Sequence, residues 1–158
     1  MRIDILCVGK LKESYFKAAE KEYIKRLSMC KIDITEVPDE PIPHNASEKE
    51  KEDVLQKEGK NLLAKINKDS FCIVLDVKGK DMDSTAFADT VKSLMVSGRS
   101  RLAIVIGGSL GLSQEVKDRA DLLLSLSSMT FTHNMTRIIL LEQLYRAFSI
   151  IGNRTYHK

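Results

Sequence analysis

Residues 105–112, VIGGSLGL, close an apolar run and open onto a stretch with helical spacing. A strand that turns sharply through glycines into a helix marks an α/β sheet, which keeps its ligands at the carboxyl ends of its strands. Glycines at such a turn allow positive φ and let a ligand approach bare backbone. The runs on either side of this stretch alternate in the same way. Residues 3–8 and 32–37 read as strands, and 13–27 has helical spacing, with Tyr15, Ala19, Tyr23 and Leu27 recurring every fourth residue. Residues 38–46 (PDEPIPHNA) hold all three prolines and form a loop. Ser47 and Glu50 make a capping box that opens a charged helix running to about residue 66. Residues 71–77 (FCIVLDV) are almost continuously apolar, as a strand covered on both faces should be. Helix 85–96, strand 102–106, helix 114–120, strand 122–126 and helix 134–151 follow. This rhythm predicts a mostly parallel sheet flanked by helices, one domain spanning residues 1–158.

Composition narrows the class of function. The chain has 158 residues, 43% hydrophobic and 30% charged, enough for one well-filled core. No apolar run reaches the roughly 20 residues of a membrane span, and the first ten residues lack the features of a signal peptide. A cytoplasmic protein is expected. Cys7, Cys30 and Cys72 have no C-x-x-C partner and read as reduced core or near-core thiols. His44, His133 and His157 lack ligand spacing, so no metal is expected. Residues 99–158 carry eight basic and four acidic side chains, a net +4 that leaves −1 for the first 98. Such an imbalance permits an anionic partner without requiring one.

Two chemistries compete for the glycine stretch, and a further phosphate pattern stands at residues 9–10. Residues 107–111 fit G-x-S-x-G, the nucleophile elbow of α/β hydrolases, and His133 follows in suitable chain order. That enzyme class needs a larger sheet and an upstream oxyanion loop, neither of which is evident. The dinucleotide pattern G-x-G-x-x-G is not met by Gly107, Gly108 and Gly111. Gly9-Lys10 imitates the end of a Walker A loop, but Asp4 stands at its first glycine and Leu11 at its Ser/Thr. The last helix carries two apolar stripes. Met135, Ile138, Leu141, Tyr145 and Phe148 form one; Ile139, Leu140, Leu144, Ala147 and Ile151 form the other. A surface helix needs one. Burial on two sides is expected, with a second copy of the chain as the simplest further partner.

Six segments together carry a resemblance: VGKLKE near the start, VPDE before the proline loop, VIGGSLGL, SSMTFTH followed by Arg137, EQLYRAF and the terminal YHK. In these the sequence resembles the RlmH (YbeA-like) type of SPOUT methyltransferase, over essentially its whole length. The resemblance implies a C-terminal trefoil knot, which no periodicity could show, since knots are essentially absent from most folds. It implies S-adenosylmethionine as cofactor, held by backbone at Leu75, Gly107, Leu126, Ser127, Ser128, Met129, Thr130 and Phe131. It implies methylation of N3 of a pseudouridine in 23S ribosomal RNA, on the assembled ribosome, by a homodimer joined through the C-terminal helix. His133, Arg137, Tyr156 and His157 are the candidates for handling the acceptor, with Tyr156 stacking on or bonding to the base. Each has a plainer alternative: His133 orienting the helix start, Arg137 and Arg146 in ion pairs (Glu142 among the partners), and the Tyr-His-Lys end fraying. Members of the family commonly carry proline at the place of Thr132 and a basic residue at that of Ser128. Loss of proline frees φ in one wall of the pocket. A non-catalytic ribosome-associated relative and a SPOUT enzyme with another RNA target are the competing readings.

Overall fold

The computed structural model describes residues 1–154. Five strands and five helices alternate strictly: β1 (Arg2–Val8), α1 (Ser14–Arg26), β2 (Lys31–Val37), α2 (Glu48–Leu63), β3 (Phe71–Asp81), α3 (Ser84–Val96), β4 (Arg101–Ile106), α4 (Gln114–Asp118), β5 (Leu122–Ser125) and α5 (His133–Ile151). Among the described residues the named strands pair in parallel throughout, in the order β2-β1-β4-β3-β5. The expected layered α/β sheet is present.

Alternation within each strand divides the core in two. Ile3, Ile5 and Cys7 of β1, Ile73 of β3 and Ile104 and Ile106 of β4 meet α3 and α5 on one face, with Leu27 at the end of α1. Leu6, Val8, Cys72, Val74 and Val105 meet Leu62 of α2 and Val116 of α4 on the other. Helix boundaries follow local chemistry. The Ser47–Glu50 capping box is complete: Ser47 Oγ accepts from the Glu50 N–H at 3.3 Å and Glu50 Oε2 from the Ser47 N–H at 2.7 Å. α2 ends three residues before the expected 66, because Lys65 and Ile66 donate to Leu62 and Leu63 in tighter i→i+3 turns.

Two elements depart from expectation. β3 runs on to Asp81, beyond its apolar run, and its register with β5 slips: Leu124 pairs with both Leu75 and Lys80, so residues 76–79 swing out of line. Gly79 lies directly on the β5 backbone; a Cβ there would come 2.6 Å from the Leu124 carbonyl carbon. Only glycine allows that crossing. Helix α5, in turn, lies between α1 and α3 as well as on the sheet. Leu140, Leu141, Leu144, Ala147 and Phe148, drawn from both stripes, are buried within the one chain. Much of the double stripe is therefore satisfied internally, by flanking helices that the periodicity of α5 could not reveal. Met135 and Ile150 remain exposed on α5, as do Tyr15 and Ile24 on α1.

Candidate active site

The carboxyl ends of β3, β4 and β5 open into a cleft of about 970 Å³. Leu75 and Asp76 come from the first, residues 107–112 from the second, and Leu126, Ser127 and residues 129–132 from the segment after the third. Glu13, Tyr15 and Phe16 of the β1–α1 region and His133, Asn134 and Thr136 of α5 make the remaining wall. The cleft size lies in the range of small-molecule sites, and apolar strand ends with exposed turns suit a flat heterocycle read by main-chain groups.

The glycine turn closes on itself. The Gly111 N–H donates to the Gly108 carbonyl at 3.1 Å, and Gly111 takes φ +90°. A Cβ on Gly107 would stand 2.6 Å from the Gly111 carbonyl oxygen and 2.8 Å from Leu112 Cγ. Glycine at 107 is thus required by the turn's own closure. Ser109 is exposed in this turn with no histidine or carboxylate bonded to it among the described residues, so it has no activating base.

The charge of the lining decides what kind of ligand it suits. Among the described residues the lining holds two carboxylates, Glu13 and Asp76, and neither lysine nor arginine. Without those two cations, that lining is poor for a phosphate.

Comparison with known proteins agrees. A sequence model described as "Predicted SPOUT methyltransferase" matches residues 1–157. The chain is 52% identical to the ribosomal RNA large subunit methyltransferase H of Halothermothrix orenii, over 100% of both chains. It is 50% identical to the protein of that name from Desulforamulus reducens, over 100% of this chain and 99% of the relative. The chain belongs to the SPOUT methyltransferase family. Its resemblance to the RlmH type holds over the full length. A solved structure, a probable methylase family protein from Haemophilus influenzae, shares the fold at a TM-score of 0.55 and 15% identity, covering 99% of this chain and 70% of that one.

Within this SPOUT chain the expected cofactor residues Leu75, Gly107, Leu126, Ser127, Met129, Thr130 and Phe131 all line the one cleft; Ser128 is exposed beside it. His133 also lines it, its Nε2 3.3 Å from where a Cβ on Gly9 would stand. Thr132, the N-cap of α5, takes φ −63° and accepts the Met135 N–H on Oγ1 at 3.3 Å. Tyr156 and His157 lie outside the described residues.

Arg137 sits elsewhere. Only 1% exposed, it donates to Glu36 Oε1 at 2.7 Å, Glu20 Oε2 at 3.1 Å and the Gly9 carbonyl at 3.1 Å, binding α5 to β2, α1 and the end of β1. The ion-pair alternative for Arg137 matches this geometry, and Arg146 pairs with Glu142 at 2.6 Å. Burial pushes the neighbouring Cys7 thiol up to about 12, and Arg137 offsets this only in part, so the thiol is neutral and unreactive.

Sequence reasoning passed over Glu13, Asp76 and Asn134. Burial acts to raise Asp76, but the Lys117 ammonium at 2.6 Å and the Lys78 N–H at 2.8 Å outweigh it and hold the carboxyl below its ordinary range. Glu13 stands in the VGKLKE segment that carried the resemblance, and that position was the available signal.

Proposed function

We propose that this SPOUT methyltransferase transfers a methyl group from S-adenosylmethionine to N3 of a pseudouridine in 23S ribosomal RNA, on the assembled ribosome in the cytoplasm. The observation that carries the reading is the cleft in which three distant turns meet, lined by apolar strand ends and main-chain turns and, among the described residues, by neither lysine nor arginine. The names of the relatives, large-subunit ribosomal RNA methyltransferases, supply the substrate class.

The cofactor, when bound, supplies an electrophilic methyl group on a sulfonium. Leu75, Gly107 and residues 126–131 would hold it through backbone and apolar contact, within a trefoil-knotted C-terminal segment. The chain's main contribution is alignment of donor and acceptor, which can supply roughly 7–11 kcal/mol. His133 handles the acceptor from the opposite wall, with Tyr156 and His157 completing it. Arg137 acts at one remove: it fixes the Gly9 loop against which His133 packs. A homodimer through the C-terminal helix would cover Met135 and Ile150, the apolar side chains that α5 leaves exposed.

Methyl transfer to ribosomes that lack the modification, with the product nucleotide mapped by mass spectrometry, tests the reaction. Assembled ribosomes should be methylated and a short RNA hairpin poorly; equal rates on both would refute the ribosome requirement. Calorimetry should show S-adenosylmethionine binding, and none at millimolar ligand would favour a non-catalytic relative.

A further inference from the structure

We propose that Glu13 is the general base of the reaction, removing the proton from the imide nitrogen that becomes methylated, with the Asn134 amide orienting its carboxylate. The inference rests on the reading of the cleft as an N-methylating site.

An imide nitrogen carries its proton at neutral pH and has no free pair for displacement until that proton leaves. Four ionisable side chains line the cleft among the described residues: Glu13, Tyr15, Asp76 and His133. Asp76 is occupied by Lys117 at 2.6 Å and by the Lys78 N–H. Tyr15 is 65% exposed and presents most of its side chain to solvent. The ring of His133 is packed on the Gly9 turn. Glu13 is different. It occupies the N-cap position of α1 yet makes no side-chain capping bond. Among the described residues its carboxylate has one hydrogen bond, a long one from Asn134 Nδ2 to Oε2 at 3.5 Å.

Asn134 adds an independent sign. With Nδ2 turned to the carboxylate, its Oδ1 is buried without a partner among the described residues. A buried acceptor left unmet is costly in a resting fold, and an N–H donor relieves it. The corner also lies on the wall made by the β1–α1 region and α5, leaving the strand-end wall to the cofactor. In the step, a Glu13 oxygen takes the proton and the N–H electron pair stays on nitrogen. The nitrogen bonds to the methyl carbon as the carbon–sulfur bond breaks, its pair leaving on sulfur as a neutral thioether. Glu13 then passes its proton to water.

The test compares the full chain with Glu13→Gln and Glu13→Asp on ribosomes lacking the modification, alongside calorimetry with S-adenosylmethionine. Because Glu13 caps nothing, Glu13→Gln should melt with the parent chain and bind the donor within about twofold, while its rate at neutral pH falls by about 10²-fold or more. That deficit should shrink by about tenfold per pH unit as the imide ionises unaided, and Glu13→Asp should recover part of it. A Glu13→Gln rate within about threefold of the parent, a deficit unchanged by alkaline pH, or a parallel loss of donor affinity would each overturn the proposal. A parent chain that transfers no methyl group overturns the function reading and this inference with it. An active parent with an unimpaired variant overturns this inference alone.

Discussion

The two turns that line the cleft after β4 and β5 are built on opposite terms. Residues 107–111 are locked: Gly107 is filled by Gly111, and Gly108 is pressed between Val8 and the buried Glu58. Behind them, Arg137 fastens the Gly9 loop and the Glu58 carboxylate accepts the Glu40 N–H at 2.9 Å. Residues 126–132 are open by contrast. Met129 is 71% exposed and Phe131 38%, and local bonds from Ser125 Oγ to the Ser127 carbonyl and from the Met129 N–H to Ser127 Oγ shape the turn. A preformed wall saves ordering entropy when a ligand binds, whereas an open wall lets it enter.

The largest expected effect falls on the locked side. Arg137→Ala strands two carboxylates and a carbonyl, and should cost about 3 kcal/mol in denaturant unfolding, the low end for a broken buried pair because Glu20 and Glu36 keep some solvent. A loss below about 1 kcal/mol would show that the rear of the cleft is held by other contacts. Gly107→Ala forces the turn open and should weaken donor binding by about 30-fold, equivalent to about 2 kcal/mol, by calorimetry. An unchanged affinity would mean that the turn tolerates reshaping.

Glu58 sharpens the contrast through pH. Burial raises its carboxyl above the ordinary 4.5, with Asp39 and Glu40 adding to the shift and the Glu40 N–H opposing it. The folded chain therefore binds this proton more tightly than the unfolded chain, so the contribution of Glu58 to stability falls as pH rises from that ordinary value of 4.5 through the raised one. Glu58→Gln keeps an oxygen for the Glu40 N–H and should flatten that part of the stability–pH curve; an identical curve would contradict the burial argument.

Changes on the open side should be small. Thr132→Pro suits the observed φ of −63° and loses the bond to the Met135 N–H, so the gain and the lost cap, each about 1 kcal/mol or less, should nearly cancel in thermal unfolding. Met129→Ala should alter stability by no more than about 0.5 kcal/mol, and a larger loss would place this turn among the locked elements.

Periodicity alone revealed most of the architecture. The apolar run ending at Ile106 and the i, i+4 pattern of α1 each implied their element within two residues of its ends. The polar half of β3 was illegible because Lys78, Gly79 and Lys80 have the composition of a loop, and the pairing that makes it a strand comes from β5, far along the chain. That Leu75, Gly107 and the turn after β5 come to one cleft was legible through the family resemblance. Its acidic neighbours were not, since one glutamate among many in a helical stretch looks like solvated surface until the fold sets it beside Asn134. Arg137 was seen, but its partners lie on three other elements that no local window contains.

Those partners have a consequence for synthesis. Glu20, Glu36 and Gly9 precede Arg137 by 117, 101 and 128 residues. While the nascent chain emerges, its front portion must wait with both acids unneutralised until nearly the whole polypeptide has been made. Contacts of such long sequence separation slow maturation. The last helix therefore acts as the keystone: a chain that stops short of it lacks the cation that ties the end of its first strand to its first helix and second strand.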